Sequence, residues 1–310
     1  MTENRNNRCG NFNESKRMNI TQRRYKLFAD FERVHKFLTD TYNKETLNSH
    51  LLPQYFEYAH HLRRFDYLRS DHFGLWEDNG KIVGVACYEM KMGICHLHTS
   101  ESYEFLLPEL LAWAEHELSV TKDDKHNLQV WITDKEKNKQ ELLASRGYSL
   151  VHSEPVKIFS YDKPFVERSL PDGFTIIDGI NVDYAKLAEC FWRGFDNDEI
   201  LPDENIDGNI KCCNAPHADL NLMTIAVASN GKYACALGMW FDAQNKYAYL
   251  EPLATVPKYR RLGLATICLT EAMKKTKKLG ATYCFGGGRE FYTCIGFETV
   301  CNRELWKKEW

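Results

Sequence analysis

One segment of the chain has residue types and spacing suited to holding a pyrophosphate. It runs from Leu250 to Thr266 and reads as a strand, a proline turn and the start of a helix. Within it, Arg260-x-x-Gly263-x-Ala265 leaves little side-chain bulk between a ligand and the backbone. Helix N-terminal amides carry partial positive charge, to which the arginines add full charge. The pattern predicts a phosphate-binding loop, although an ordinary capped helix would read similarly.

A second segment, Phe291-Tyr292-Thr293-Cys294-Ile295-Gly296-Phe297, follows at the distance of one helix, one strand and a further short helix. Together the two segments resemble the motifs of the GNAT N-acetyltransferase superfamily. Arg260-Arg261-Leu262-Gly263-Leu264-Ala265 is similar to that family's Arg/Gln-x-x-Gly-x-Gly/Ala loop for acetyl-CoA, and the second segment to its Leu-Tyr-x-x-x-Gly-Phe close. The resemblance is strongest over residues 173–310.

The resemblance implies a fold and a donor. The fold class is α/β (α+β), with two GNAT-like domains, each a mixed, mostly antiparallel central sheet flanked by helices. Acetyl-CoA is the co-substrate, and no metal is expected. Its pyrophosphate would lie on the amides of residues 261–266 and its pantetheine arm along the backbone of residues 253–255. The implied cofactor-binding residues are Leu253, Ala254, Thr255, Arg260, Arg261, Leu262, Gly263, Leu264, Ala265 and Thr266.

The same resemblance implies direct attack of an amine on the thioester, with two catalytic residues. Tyr292 stands at the position of the family's tyrosine, and a phenol holds its proton at neutral pH and can donate it to the leaving thiolate. Glu251, two residues before Leu253 on one strand face, is the candidate general base. The alternatives are a packing tyrosine and a strand-edge carboxylate. The chain departs from the family pattern at Phe285, where asparagine is frequent, and at Cys294, where Lys or Arg is usual.

The elements that must position these residues recur with a period near 150. A hairpin is predicted at 73–77 and 81–90 and another at 222–228 and 232–241, each with an Asn-Gly turn. Strand 246–256, helix 263–279, strand 281–285 and helix 288–295 follow the second hairpin. The first half is predicted to begin with a strand at 24–29 and helices at 30–42 and 50–68. Such a period suggests a duplicated domain, and the predicted units are a flexible tail at 1–22, a degenerate copy at 23–165 and a catalytic domain at 166–310.

The first copy lacks the chemistry of the second. Its corresponding loop, Thr99-Ser100-Glu101-Ser102-Tyr103-Glu104, has no glycine, and its carboxylates would repel a pyrophosphate. Leu143 stands at the tyrosine position. The first half is therefore predicted to shape the substrate cleft or to pack against the second half.

Composition excludes several function classes. With 40 Lys and Arg against 43 Asp and Glu, the charge gives no case for nucleic-acid binding. Apolar runs are too short to span a bilayer, no secretory signal is apparent, and the eleven cysteines form no CxxC pair. We expect a cytoplasmic monomer or homodimer. His96-x-His98 and Cys212-Cys213-x-x-x-His217 are interpreted as structural rather than metal-ligating.

The acceptor is the least defined part of the prediction. Residues 196–207 carry six carboxylates and no Lys or Arg, and they follow the first helix of the second half, which in this fold borders the acceptor site. A carboxylate-lined mouth would attract a cationic small molecule or peptide amine. A solvated acidic loop, an acyl-CoA-binding pseudoenzyme and an acyltransferase with a larger donor remain as alternatives.

Overall fold

The computed structural model describes residues 19–197 and 200–310. Most of the predicted tail at 1–22 lies outside these residues, and its last part belongs to the first strand. Asp198 and Glu199, two members of the acidic segment, also lie outside the described residues.

Apart from the short strand β5, both halves of the chain contain the same succession of strands and helices. In the first half the elements are β1 (Ile20–Arg24), α1 (Leu27–Asp40), α2 (Pro53–His61), β2 (Gly74–Asp78), β3 (Lys81–Tyr88), β4 (Ile94–Thr99), α3 (Leu107–Trp113), β5 (Val120–Lys122), β6 (Lys125–Thr133), α4 (Lys137–Ser145) and β7 (Ser149–Ser160). In the second half they are β8 (Phe174–Ile177), α5 (Tyr184–Gly194), α6 (Asp203–Cys213), β9 (Thr224–Ala228), β10 (Tyr233–Asp242), β11 (Tyr247–Thr255), α7 (Leu264–Lys278), β12 (Tyr283–Gly286), α8 (Glu290–Cys294) and β13 (Glu298–Glu309).

The strands form one continuous sheet through exchange of the last strand of each half. The order is β1-β2-β3-β4-β6-β13-β7-β12-β11-β10-β9-β8, with β5 paired to β6. β7 of the first half pairs antiparallel with β12, and β13 of the second half pairs antiparallel with β6 and with β7. Each half of the sheet is therefore completed by a strand from the other half.

Parallel strands diverge at the centre of each half. β11 and β12 pair in parallel only from Tyr247 to Tyr249 on β11, although β11 continues to Thr255. Beyond Tyr249 the backbone of β11 keeps its antiparallel partner β10, and no described strand pairs with it on the β12 side. β4 and β6 repeat this arrangement, pairing only over Ile94 to His96. The fold thus creates two equivalent gaps between diverging strands.

Helices cover both faces of the second-half sheet. Ala248, Leu250 and Tyr292 belong to the apolar core on the α7 and α8 face. Tyr247 and Tyr249 point to the opposite face and join the core of the first half. The functional strand β11 consequently presents alternate side chains to the two halves of the molecule.

The structure confirms the two Asn-Gly hairpins and the order from β11 to α8. The predicted strand at 24–29 is wrong, because the strand ends at Arg24 and α1 begins at Leu27. The predicted helix at 50–68 is shorter, since α2 ends at His61. α6, β7 and β13 were not predicted. No helix within the described ranges combines the length and apolar character needed to cross a membrane.

Candidate active site

A cleft of about 670 Å³ opens where β11 and β12 diverge, and we call it the splay cleft. Nine of the ten predicted cofactor-binding residues line it; Leu262, 43% exposed, does not. The predicted catalytic residues Glu251 and Tyr292 also line this cleft. The structure therefore brings together residues that are up to 41 positions apart in the sequence, from Glu251 to Tyr292.

The predicted phosphate loop has the backbone conformation that its glycine suggests. Gly263 is the N-cap of α7 and lies in the left-handed region, with φ of 81°. A side chain there would be strained, and its Cβ would lie 3.1 Å from the Cδ of Arg168. The first amides of α7 lack intrahelical acceptors, as at every helix N-terminus. A pyrophosphate would find these amides together with the charges of Arg261 and Arg168.

Arg260 has a different environment from the one expected. Its guanidinium donates to the carbonyl oxygens of Thr255 at 3.1 Å and Gly194 at 2.9 Å. It also forms an ion pair with Asp196 at 2.7 Å. These contacts join the end of β11 to the end of α5, so Arg260 holds the wall of the cleft. Its predicted contact with a phosphate stays a prediction.

Tyr292 is buried against the glycines that end β12. A Cβ on Gly286 would lie 2.8 Å from the Tyr292 ring, and one on Gly287 would lie 2.7 Å from it. Lys157 of β7 fixes this segment by donating to the carbonyl oxygens of Gly288 and Arg289. Burial, followed by the charge of Glu251, raises the pKa of Tyr292 above its usual value. The phenol therefore remains a proton donor at neutral pH.

Glu251 lies in a bulge of β11. The β10–β11 register jumps from Leu237↔Leu253 to Met239↔Leu250, which leaves Glu251 and Pro252 opposite Gly238. A Cβ on Gly238 would lie 2.5 Å from the Glu251 carbonyl oxygen, so only glycine permits this approach. The indole of Trp240 donates to the same carbonyl at 3.1 Å. The bulge thus sets the direction of the Glu251 carboxylate.

The environment of Glu251 suits a general base at neutral pH. Desolvation and the nearby charge of Glu89 raise the pKa of Glu251 to about 7. The positive charge of Arg303 and a hydrogen bond from Tyr58 act in the opposite direction. A carboxyl with this pKa is substantially ionised near pH 7 and can accept a proton from an ammonium group. Glu89 and Tyr58 belong to the first half, which therefore contributes to the site.

A second cavity, of about 340 Å³, lies between the two halves of the chain, and we call it the inter-half cavity. Its walls come from the end of α2, from α5 and α6, and from the bulge of β11. Glu251 and Phe195 line both this cavity and the splay cleft. The candidate base consequently stands in the wall shared by the two spaces.

The acidic segment does not form the mouth of either cavity, as far as its described members show. Asp196 is paired with Arg260, and Asp203, Glu204 and Asp207 lie on α6. None of these four side chains lines the inter-half cavity or the splay cleft. The predicted carboxylate-lined mouth is therefore wrong for Asp203 and Asp207, which lie exposed on α6. Asp196 and Glu204 are instead paired with the lining residues Arg260 and Arg63, at 2.7 Å and 3.7 Å.

The equivalent gap in the first half is partly occupied by the chain itself. Leu47, Asn48 and Ser49 are buried there, in a turn whose φ values lie between 51° and 57°. Ser49 donates to Glu136 of the segment before α4, and Lys139 donates both to Ser49 and to the Leu97 carbonyl oxygen of β4. These side chains occupy part of the space that corresponds to the splay cleft. A cavity of about 880 Å³ remains beside them, but the loop from Ser100 to Glu104 in its wall has two carboxylates and no glycine.

One cluster outside the cleft has the residue types of a metal site. Single ligand atoms of His35, Glu57 and His217 lie within 4.8 Å of one another. The two imidazoles, however, are stacked in parallel planes with centroids 3.9 Å apart. An ion lies in the plane of each imidazole that ligates it, so these rings do not share one ion in this arrangement. The cluster is held instead by hydrogen bonds of His217 to Glu57.

Several residues of the site were not identified from the sequence. Tyr58, Glu89 and Arg303 surround Glu251, and Arg168 lies over Gly263. None of them stands in a motif, and the elements that carry them come from the first half, the linker and the last strand. The pairing of β13 with β6, which places Arg303 in the cleft, had no signal in the local sequence pattern.

Comparison with known proteins agrees with this geometry. Residues 184–297 match the model of the acetyltransferase (GNAT) family. No curated protein sequence matches the chain. A GCN5-related N-acetyltransferase from Sphaerobacter thermophilus is 16% identical and has a TM-score of 0.61, with 94% of this chain and 95% of that chain covered. A tandem GNAT protein from the clavulanic acid biosynthesis pathway is 10% identical with a TM-score of 0.62, covering 94% and 98%.

A GNAT-family acetyltransferase from Colwellia psychrerythraea is 14% identical with a TM-score of 0.56, covering 93% of this chain and 98% of that chain. At these identities the solved structures establish the fold, and the family model establishes the domain. Residues 184–297 therefore belong to the GNAT acetyltransferase family, in a chain with the tandem GNAT fold, and the protein is an acyltransferase.

Proposed function

We propose that the protein transfers the acetyl group of acetyl-CoA to a primary amine by direct attack. The observation that carries this proposal is the position of Glu251 in the wall between the splay cleft and the inter-half cavity. A donor in the first space and an acceptor in the second would meet at this carboxylate. Tyr292 lines the donor side of the same junction.

The splay cleft offers suitable groups both to the pyrophosphate and to the pantetheine arm of acetyl-CoA. The N-terminus of α7 offers amides and nearby arginines to the pyrophosphate. Beyond Tyr249, the edge of β11 that faces the cleft has no strand partner among the described residues, so its backbone groups at Leu253 and Ala254 are available to the amides of a pantetheine arm, whereas the Thr255 carbonyl oxygen already accepts from Arg260. The bound thioester would then point towards Glu251.

Glu251 and Tyr292 have different roles in the proton transfers of the reaction. Glu251 accepts a proton from the ammonium form of the acceptor, which frees the nitrogen lone pair. The nitrogen forms a bond to the acyl carbon and the carbon–sulfur bond breaks. Tyr292 donates its phenolic proton to the departing thiolate, and the second proton that the nitrogen loses restores the phenol. Acetyl-CoA supplies the activated acyl group, and the chain itself provides orientation and proton transfer.

Calorimetry with acetyl-CoA tests the donor assignment. We expect one site per chain, because the corresponding loop of the first half, from Ser100 to Glu104, has no glycine and its two carboxylates would repel a pyrophosphate. Gly263→Glu should abolish binding, since it places bulk and negative charge against the pyrophosphate. Gly280→Glu is the matched control: Gly280 also has a left-handed φ, of 102°, but lies in open space at the opposite end of α7. Two sites of similar affinity, or binding by the Gly263 variant, would contradict the assignment.

A further inference from the structure

We infer that the acceptor is a monoamine with a single apolar body of about the size of one aromatic ring system, bound in the inter-half cavity. This inference rests on the proposed function and names the substrate class for the same site. The volume of the cavity, about 340 Å³, is at the small end of the range of ligand pockets, which favours a compact molecule.

The walls of the cavity are predominantly apolar. Aromatic and aliphatic side chains from α5, β10 and the loop before β9 surround the space. The four aromatic rings among them belong to Phe191, Trp192, Phe195 and Trp240. The apolar lining consists of Leu62, Met90, Leu187, Ala188, Phe191, Trp192, Phe195, Ala218, Leu220, Met223, Met239, Trp240 and Pro252. Apolar ligand surface packs favourably against such walls, and an aromatic ring of the ligand would add ring–ring contacts with them.

The polar groups of the lining are largely engaged within the protein. The Asn209 amide donates to the Asn205 carbonyl oxygen at 2.8 Å, and the Asn197 amide donates to the Trp192 carbonyl oxygen at 3.0 Å. The carboxylate of Asp219 accepts from the backbone and side chain of Asn221. These bonds fix the wall and leave few groups suited to the many hydroxyl or amino groups of a sugar-like or polyamine ligand.

The charges of the lining fit one amine rather than several. Among the described residues of the lining, the carboxylates are Asp219, which bonds to Asn221, and Glu251 at the junction with the splay cleft. Arg63 and Arg64, both exposed, belong to the same lining, and Arg63 pairs with Glu204 of α6 at 3.7 Å. A second cationic group on the acceptor would therefore meet, at that end of the described lining, two arginines and a carboxylate that is already paired. Within the described lining, the position beside Glu251 is the one that suits a cation, and this is the position of the reacting amine.

Binding of amines to the full chain in the presence of CoA tests the inference. The probes are 2-phenylethylamine, spermidine and kanamycin, measured by calorimetry. We expect 2-phenylethylamine to bind at one site at least tenfold more tightly than either polycation. Tighter binding of spermidine or kanamycin, or no binding of 2-phenylethylamine, would overturn the inference.

Two pairs of variants locate the site. Ala188→Phe fills the cavity from α5 and should weaken 2-phenylethylamine binding at least tenfold, whereas Ala185→Phe on the same helix is exposed and should change nothing. Gly208→Leu is the second filling variant, because a Cβ there meets only Arg63 at an ordinary 3.7 Å and α6 gains a better helix former. Full binding by both filling variants would place the amine elsewhere.

Failure of this inference can be separated from failure of the proposed function. Release of CoA with spermidine but not with 2-phenylethylamine would leave amine acetylation intact and reject the apolar class. Absence of acetyl-CoA binding would reject the proposed donor, while amine binding is judged from its own titration.

Discussion

Tyr58, on α2 of the first half, and Glu251, on β11 of the second half, line the same cavity between the halves, and the interaction of this phenol with the carboxylate lowers the pKa of Glu251. This contact joins the copy without a cofactor loop to the candidate base of the copy that has one. Arg303, on the exchanged strand β13, adds positive charge to the same group of residues. The duplicated half therefore takes part in the chemistry of the site, and its tyrosine and glutamate are expected to set the protonation of Glu251.

The first prediction concerns the pH dependence of turnover. Because burial raises the pKa of Glu251 to about 7, kcat/KM should rise with pH through this value as the carboxylate loses its proton. Glu251→Gln should lower kcat by about 10²–10⁴-fold, the usual contribution of a general base. Acetyl-CoA affinity of this variant, measured by calorimetry, should stay close to that of the wild type. An unchanged rate in the variant would assign the base elsewhere.

The second prediction concerns the residues that shift the pKa of Glu251. Glu89→Gln removes a negative charge that favours the protonated form of Glu251, so the rise of kcat/KM should move to lower pH. Tyr58→Phe removes a hydrogen bond to the ionised form, so the rise should move to higher pH. Opposite displacements of two pH–rate profiles are not expected from general destabilisation. Parallel displacements would show that the two residues act only on the fold.

Much of the second half could be predicted from local sequence. Gly263 and Tyr292 stand in two motifs whose order and spacing indicate one kind of site, and the Asn-Gly turns fix two hairpins. Helix α7 begins where the left-handed glycine requires it to begin. These features depend on neighbouring residues, which is why the sequence pattern contains them.

The remainder depends on contacts between distant segments. β7 and β13 are exchanged between the halves, and nothing in an individual strand indicates its partner. The acidic segment could be interpreted as the mouth of the acceptor site only while α6 was not predicted, since the helix decides which way its carboxylates point. Leu47 to Ser49 enter the gap between β4 and β6 in a turn with positive φ values. None of these residues is glycine, so the sequence does not indicate this conformation.

The third prediction concerns the proton donor. Tyr292→Phe retains the ring and its packing but removes the proton, and kcat should fall by about 10²–10⁴-fold with little change in acetyl-CoA affinity. Tyr259→Phe is the control, because Tyr259 lines the same cleft but is only partly buried, and its hydroxyl accepts a long hydrogen bond, at 3.4 Å, from Asn230. Gly287→Ala should also reduce kcat, since its Cβ would displace the Tyr292 ring at 2.7 Å. Wild-type turnover by Tyr292→Phe would make this tyrosine a packing residue.

The last prediction concerns stability at mildly acidic pH. Burial lowers the pKa of His35 and His60 to about 4 and of His50 and His98 to about 3. The unfolded chain protonates these imidazoles near pH 6.5, whereas the folded chain does not, so the free energy of unfolding should decrease as pH falls from 6.5 towards 4. Each such histidine contributes a slope of about 1.4 kcal/mol per pH unit. His217 has the opposite effect on stability, because Glu57 raises its pKa. The stabilisation that His217 provides is present below pH 6.5 and is lost as pH rises through its raised pKa.

Urea unfolding at pH 7.5, 6.5, 5.5 and 5.0 measures this balance. Because several histidines with lowered pKa values outweigh the raised pKa values of His217 and Glu251, stability should fall by several kcal/mol over this range, a large part of the 5–15 kcal/mol typical of folded proteins. His98→Asn should reduce the slope by about one proton, since the buried imidazole that bonds Thr41 at 2.8 Å is then gone. His116→Asn, whose side chain is 82% exposed, should leave the slope unchanged. A free energy of unfolding that is constant from pH 7.5 to 5.0 would mean that the buried imidazoles are protonated in the folded chain. The lowered pKa values of these histidines would then be wrong.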